Sequence, residues 1–182
     1  MKMLKPRHEV LIGMILAAAL SRLVPHPPNF APIGALALFG GAQFADRRAA
    51  FLVPLAAMLL SDFCLGFYAH MGWVYGSFTL SVCIGLWLRS HRGTWRIAGA
   101  SLLGSTLFFL ITNFGVWANS TTTYAKGLSG LVACYVAAIP FFGNTLLGDG
   151  FYALILFGGL ALLENRFAIL REPAIPNLDT AG

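Results

Sequence analysis

A small set of polar side chains stands inside or at the ends of long apolar runs: Arg22, Asp62, Asn113, Asn144 and Asp149. Hydrocarbon offers such groups no hydrogen-bond partner, so ionisable residues within membrane segments turn toward one another, toward a ligand or toward a proton path. Their spacing gives each segment one polar stripe. Asn144, Thr145, Gly148 and Asp149 follow i, i+1, i+4, i+5 and share a helical face. Ser61, Asp62 and Gly66 do the same. Tyr75, Thr79 and Cys83 are four apart, and Thr112 and Asn113 lie a turn below Val116 and Trp117. The chemistry open to this set is recognition of a polar small molecule or proton exchange. Two structural alternatives stand beside it. Arg22 can simply neutralise Asp62 or Asp149, and Tyr68, Trp73, Tyr75, Trp117 and Tyr124 can form an interfacial aromatic belt rather than a cavity wall.

The stretches that must position these residues are strongly apolar. The 182-residue chain is 58% hydrophobic and 10% charged, where a soluble domain carries about 25% charged residues. Six apolar runs are marked near residues 10–24, 31–44, 49–68, 74–88, 97–118 and 142–163. Residues 128–139 form a partial helix or dipping loop before a break at Pro140, because proline lacks an amide donor and clashes with the preceding turn. The expected fold is an all-α, polytopic membrane bundle of about six transmembrane helices over residues 10–165. A cytoplasmic segment, 1–9, precedes it, and a disordered tail, 166–182, follows. With both termini cytoplasmic, ten of the twelve Lys and Arg residues fall on the inside and only Arg22 and Lys126 outside. This predicts a multi-pass protein of the cytoplasmic membrane and explains the net charge of +5 without nucleic acid. The second run is short for a bilayer core of about 30 Å. The basic start and Ala17-Ala18-Ala19 resemble a signal peptide, but the run continues past the alanines to Val24, which argues against cleavage.

The segment Pro25-His26-Pro27-Pro28-Asn29-Phe30-Ala31-Pro32 is stiff, since each proline fixes φ. It is read as a wall or lid over an outer cavity to which His26 and Asn29 contribute, or as a rigid turn. Short or interrupted apolar segments of this sort mark binding sites in transporters. Gly13, Ala17 and Ser21 form a small-xxx-small face for close helix packing, within the chain or against a partner subunit. Cys64, Cys83 and Cys134 lie in apolar runs and are expected to be buried. No HExxH, GxSxG or phosphate-loop pattern occurs, so neither an enzyme nor a bound cofactor or metal is expected.

Ser21-Arg22 through Ala35, Ser61-Asp62 with Gly66, Val74-Tyr75, Ile111 to Trp117, and Ile139 to Phe142 with Asn144-Thr145 and Gly148-Asp149 resemble, together, a family of uncharacterised bacterial transport proteins. That family is similar to the substrate-binding S components of energy-coupling-factor vitamin transporters. The resemblance covers roughly residues 10–165. It implies a six-helix carrier for a vitamin or vitamin precursor whose site opens outward, with Arg22, His26, Asn29, Asp62, Tyr75, Asn113, Trp117, Asn144 and Asp149 lining or bracing it. It also implies docking of a transmembrane coupling subunit with its ATPases through Gly13, Ala17 and Ser21, although some relatives work without that module. In a cobalamin-linked type a cysteine ligates cobalt, and Cys64 and Cys83 are the candidates, matched to no motif. The alternative function is a membrane scaffold whose polar cluster is interhelical glue.

Overall fold

The computed structural model describes residues 6–90 and 92–171, and these are all helix and connecting turn. Lys2, Lys5 and the tail after Arg171 lie outside the described residues. The helices are α1 (Pro6–Leu20), α2 (Ile33–Gln43), α3 (Arg47–Leu65), α4 (Met71–Leu88), α5 (Thr94–Asn119), α6 (Leu128–Ala153) and α7 (Gly159–Arg166). A single 3-10 turn, Ser21–Leu23, ends α1, and a π-helical turn, Leu154–Gly158, joins α6 to α7. Helix boundaries differ from those of the apolar runs: α5 begins at Thr94 rather than at residue 97, and α1 ends at Leu20 rather than at residue 24.

Four units are long and apolar enough to cross a membrane: α3, α4, α5 and the 39-residue rod Leu128–Arg166. Their outward faces carry Leu52, Phe63, Trp87, Leu102, Val136 and Leu147 in the open. A bundle this apolar on its outside suits lipid and not water. The expected break at Pro140 is absent, because α6 runs through that residue without interruption. Proline is tolerated inside membrane helices where neighbouring groups re-satisfy the freed backbone. Pro54 is accommodated inside α3 in the same way. The burial expected of the cysteines holds for Cys134 alone, since Cys64 and Cys83 are exposed on the bundle exterior. Their helices turn larger or polar residues inward instead.

A short helix is the most enclosed. In α2 every residue from Ala35 to Gln43 is buried. Eleven residues rise about 16 Å, less than a bilayer core, so α2 is a central post surrounded by longer helices. Glycine makes this possible. Gly41 of α2 and Gly85 of α4 face one another so closely that a Cβ on Gly85 would lie 2.9 Å from the Gly41 Cα and overlap the Leu38 carbonyl oxygen. On another side, Gly40 meets the Pro54 ring of α3. Around the post, Leu11, Ile15, Phe39, Met58, Phe78, Val82 and Leu156 form one core.

Side-chain contacts collect many helix ends at one basic end. Arg7 at the start of α1 pairs with Glu164 of α7 and donates to Gln43 Oε1 at the end of α2 (2.9 Å) and to the Leu170 carbonyl (2.9 Å). Arg92, before α5, donates to the same Gln43 oxygen, and Arg89, after α4, to the Ala45 carbonyl. The turn Ser21–Leu23 and the proline segment lie at the opposite end.

Gly85→Ala should lower stability by about 1–3 kcal/mol, the usual penalty for overpacking a close contact. Gly99→Ala, where an added Cβ meets nothing within 4 Å, should not. Thermal unfolding of the detergent-purified protein compares the two.

Candidate functional site

At the end opposite the basic one, two carboxylates are held in different ways. Asp62, near the end of α3, is fully buried. Its Oδ1 faces Arg22 Nη2 at 2.6 Å, and its Oδ2 accepts from the Tyr75 hydroxyl at 2.8 Å. Arg22 also donates to Ser61 Oγ, which in turn donates to the Met58 carbonyl. The 3-10 turn at the end of α1 is what aims Arg22 at α3. Of the two carboxylates Arg22 could neutralise, it takes Asp62.

Asp149, at mid-course in the long rod, is 2% exposed. Its Oδ1 accepts from the Ala35 amide at 3.1 Å and its Oδ2 from Ser105 Oγ at 2.6 Å. Both donors are neutral, and Asp149 makes no ion pair among the described residues. Gly34 packs against this carboxylate, where an added Cβ would lie 2.5 Å from Oδ2. The first turn of α2, whose backbone amides have no helical acceptor, thus points its Ala35 N–H at a carboxylate.

A cavity of about 320 Å³ opens between these groups. Arg22, His26, Asn29, Tyr68, Thr145 and Asp149 give it polar edges, and Ile33, Leu65, Val74 and Phe108 its apolar walls. The proline segment is one wall, as its stiffness predicts. Asn29 adopts φ 63°, a left-handed conformation that asparagine tolerates. Phe30 stacks on Phe151 and Tyr152 at 5.7 and 6.2 Å. Asn144 Nδ2 donates to the Pro28 carbonyl at 2.9 Å. Beneath the segment, Gly148 leaves room for the Phe30-Ala31 backbone, since a Cβ there would lie 3.0 Å from the Ala31 nitrogen. Tyr68, in the turn between α3 and α4, has its phenol pushed up to about 12, first by burial and then by the charge of Asp62, with Arg22 opposing. It is therefore a neutral hydrogen-bonding group at physiological pH.

The residues expected to form the site divide into three sets. Arg22, His26, Asn29 and Asp149 line the cavity. Asp62, Tyr75 and Asn144 stand behind it as braces. Asn113 and Trp117 lie apart: the Asn113 amide donates to the Phe109 carbonyl of its own helix, and the Trp117 indole donates to the Ala125 carbonyl with Lys126 over its ring. Gly13 and Ala17 are exposed on the outside of α1. Ser21 belongs to the interior, where it bonds the Ala18 carbonyl and Tyr152 Oη. Ser105 has no place in the expected set, whereas Tyr68 stands among the aromatics read as a belt or a cavity wall, and it lines the cavity. For Ser105 the only sequence signal is the run Ser101, Gly104, Ser105, small and polar at helical spacing inside an apolar segment.

Four membrane-length apolar helices and a small polar-edged cavity point to an all-helical membrane protein. Over residues 2–175 the chain matches a family of unknown function, DUF6580, and it belongs to that family. No curated protein and no solved structure matches it.

Breaking a buried ion pair by removing one partner typically costs about 3–5 kcal/mol, because the remaining charge is left uncompensated. Arg22→Met should therefore unfold at markedly lower temperature, and Arg22→Met/Asp62→Asn should recover much of the loss. Equal melting of the single and double variants would show that the pair does not brace the fold.

Proposed function

We propose that this protein is a small-molecule carrier of the bacterial inner membrane, taking its solute into the cavity between the proline segment and Asp149. One observation carries the reading: a buried carboxylate that makes no ion pair among the described residues forms part of the wall of a cavity. Binding sites for small molecules are concave, mostly apolar, and oriented by a few placed polar groups, with volumes upward of about 300 Å³. This cavity has that character. The Arg22–Asp62–Tyr75 network behind it supplies the rigid backing a site requires. The clustering of Arg7, Arg89 and Arg92 at one end supports a cytoplasmic placement of that end and an outward-facing cavity. It also supports six crossings with both termini inside, α1 and α2 being the short members.

A vitamin or vitamin precursor, and S-component-like docking to a coupling subunit with ATPases, follow from the sequence resemblance. The exposed Gly13 and Ala17 on α1 suit close approach of a second helix. The alternative is a scaffold in which the polar network serves only as glue. It draws on Asp62, which is paired with Arg22 and accepts from Tyr75 inside the chain.

Thermal-shift screening of the purified protein against water-soluble vitamins and their precursors separates the two readings. A carrier gives a ligand-dependent rise in melting temperature. Thr145→Val, which keeps the side chain's shape and deletes a cavity hydroxyl, should weaken that ligand by about tenfold, or 1.4 kcal/mol, with little change in the unliganded melting temperature. No stabilising ligand from the panel, together with intact folding of Thr145→Val, would favour the scaffold.

A further inference from the structure

A second cavity lies toward the basic end. It is a groove of about 760 Å³ between α5 and the long rod, reaching from Gln43, Arg92 and Glu164 at its mouth to Ser101 and Ser105 at its depth. The π-helical turn supplies Leu154, Phe157 and Gly158 to its wall. Such turns recur at functional sites, where they redirect side chains within a helix. The two cavities share no lining residue. They meet at one hydrogen bond, because Asp149 lines the first, Ser105 lines the second, and Ser105 Oγ donates to Asp149 Oδ2 at 2.6 Å.

We infer that the outer cavity and the inner groove are two halves of one aqueous route through this chain, closed in this conformation by the Ser105–Asp149 hydrogen bond. The inference deepens the carrier reading and rests on it, since it locates release within the bundle itself. Polar residues recur along the groove, Glu164, Arg92, Gln43 and Thr94 toward one end and Ser101 and Ser105 further in, among apolar side chains such as Leu102 and Phe157. A bundle face meant only for lipid tails has no use for such a series. The barrier is thin because the residues around it are small. Gly34 abuts Asp149, Gly104 precedes Ser105, and Gly148 and Gly150 flank the aspartate. A carboxylate between the two cavities, held by neutral donors, favours passage of cations and of neutral hydrogen-bond donors over anions. Arg22, His26 and Tyr68 are the other ionisable groups lining the outer cavity, and Arg92 and Glu164 those lining the groove.

The test is sided cysteine labelling in proteoliposomes and needs no ligand. Cys64, Cys83 and Cys134 are first replaced by serine, serine and alanine, and unchanged thermal unfolding certifies the background. Ala45→Cys marks the basic end and Thr122→Cys the opposite end. A membrane-impermeant, charged methanethiosulfonate should modify Ser101→Cys at least about tenfold faster from the basic side, and Thr145→Cys at least about tenfold faster from the other, because thiol reactivity follows access to water. Adding Ser105→Ala should raise modification of Thr145→Cys from the basic side by about tenfold. Protection of Ser101→Cys from both sides would mean a lipid-filled groove and overturn the inference. So would labelling of both positions from one side, or an unchanged pattern in Ser105→Ala. A failed vitamin screen with the expected labelling pattern would instead count against the carrier reading's ligand and leave the route intact.

Discussion

Within the described part of the bundle that faces away from the basic end, one cation meets two buried carboxylates, and its allocation organises the site. Burying charge in a medium of low dielectric constant is costly unless a partner stands within hydrogen-bond distance. Arg22 gives its guanidinium to Asp62 and Ser61. That contact pins the turn after α1 to α3 and aims the chain into the proline segment. Tyr75 completes the network from α4. Asp149 is left with an amide and a hydroxyl, which hold its position without cancelling its charge. A buried ion pair thus stands near a buried carboxylate that makes no ion pair among the described residues.

This arrangement depends on the enclosure of α2. A helix of eleven residues surrounded by longer ones can present its first turn at mid-depth in the bundle. The Ala35 amide therefore reaches Asp149 well inside the structure. Close approach through Gly41 and Gly85 holds α2 against α4, and Gly40 against Pro54 holds it against α3. Larger residues at these positions would separate the helices and move the amide away from the carboxylate. Backbone polarity at depth is tolerated where it lines a cavity or is buried in protein, and the start of α2 meets that condition.

The two ends of the molecule differ in kind. At the basic end, Arg7, Gln43, Glu164 and Arg92 knit helix termini together through side chains. At the other, the proline segment is held by a stacked Phe30, one amide bond from Asn144 and the absence of a side chain at Gly148. The knitted end resists separation of the helices, whereas the proline segment is tied down by few contacts.

Much of this was legible in the residues. The six runs marked in the sequence exceed the four units of membrane length, whereas helical content, membrane character and the polar faces of α3 and the long rod follow from hydrophobic runs and i, i+4 spacing. These are local properties, each confined to one segment. The positions that departed from expectation are those decided between segments. Pro140 ends a helix by local rules, yet α6 continues through it. Asn113 looked equivalent to Asp62, but its amide bonds its own helix, because rotation of α5 about its axis puts Ser105 on the inner face instead. Which carboxylate received Arg22, and that Ser105 would meet Asp149, depend on how helices far apart in sequence pack. Periodicity gives each helix a face, and only packing decides which faces meet.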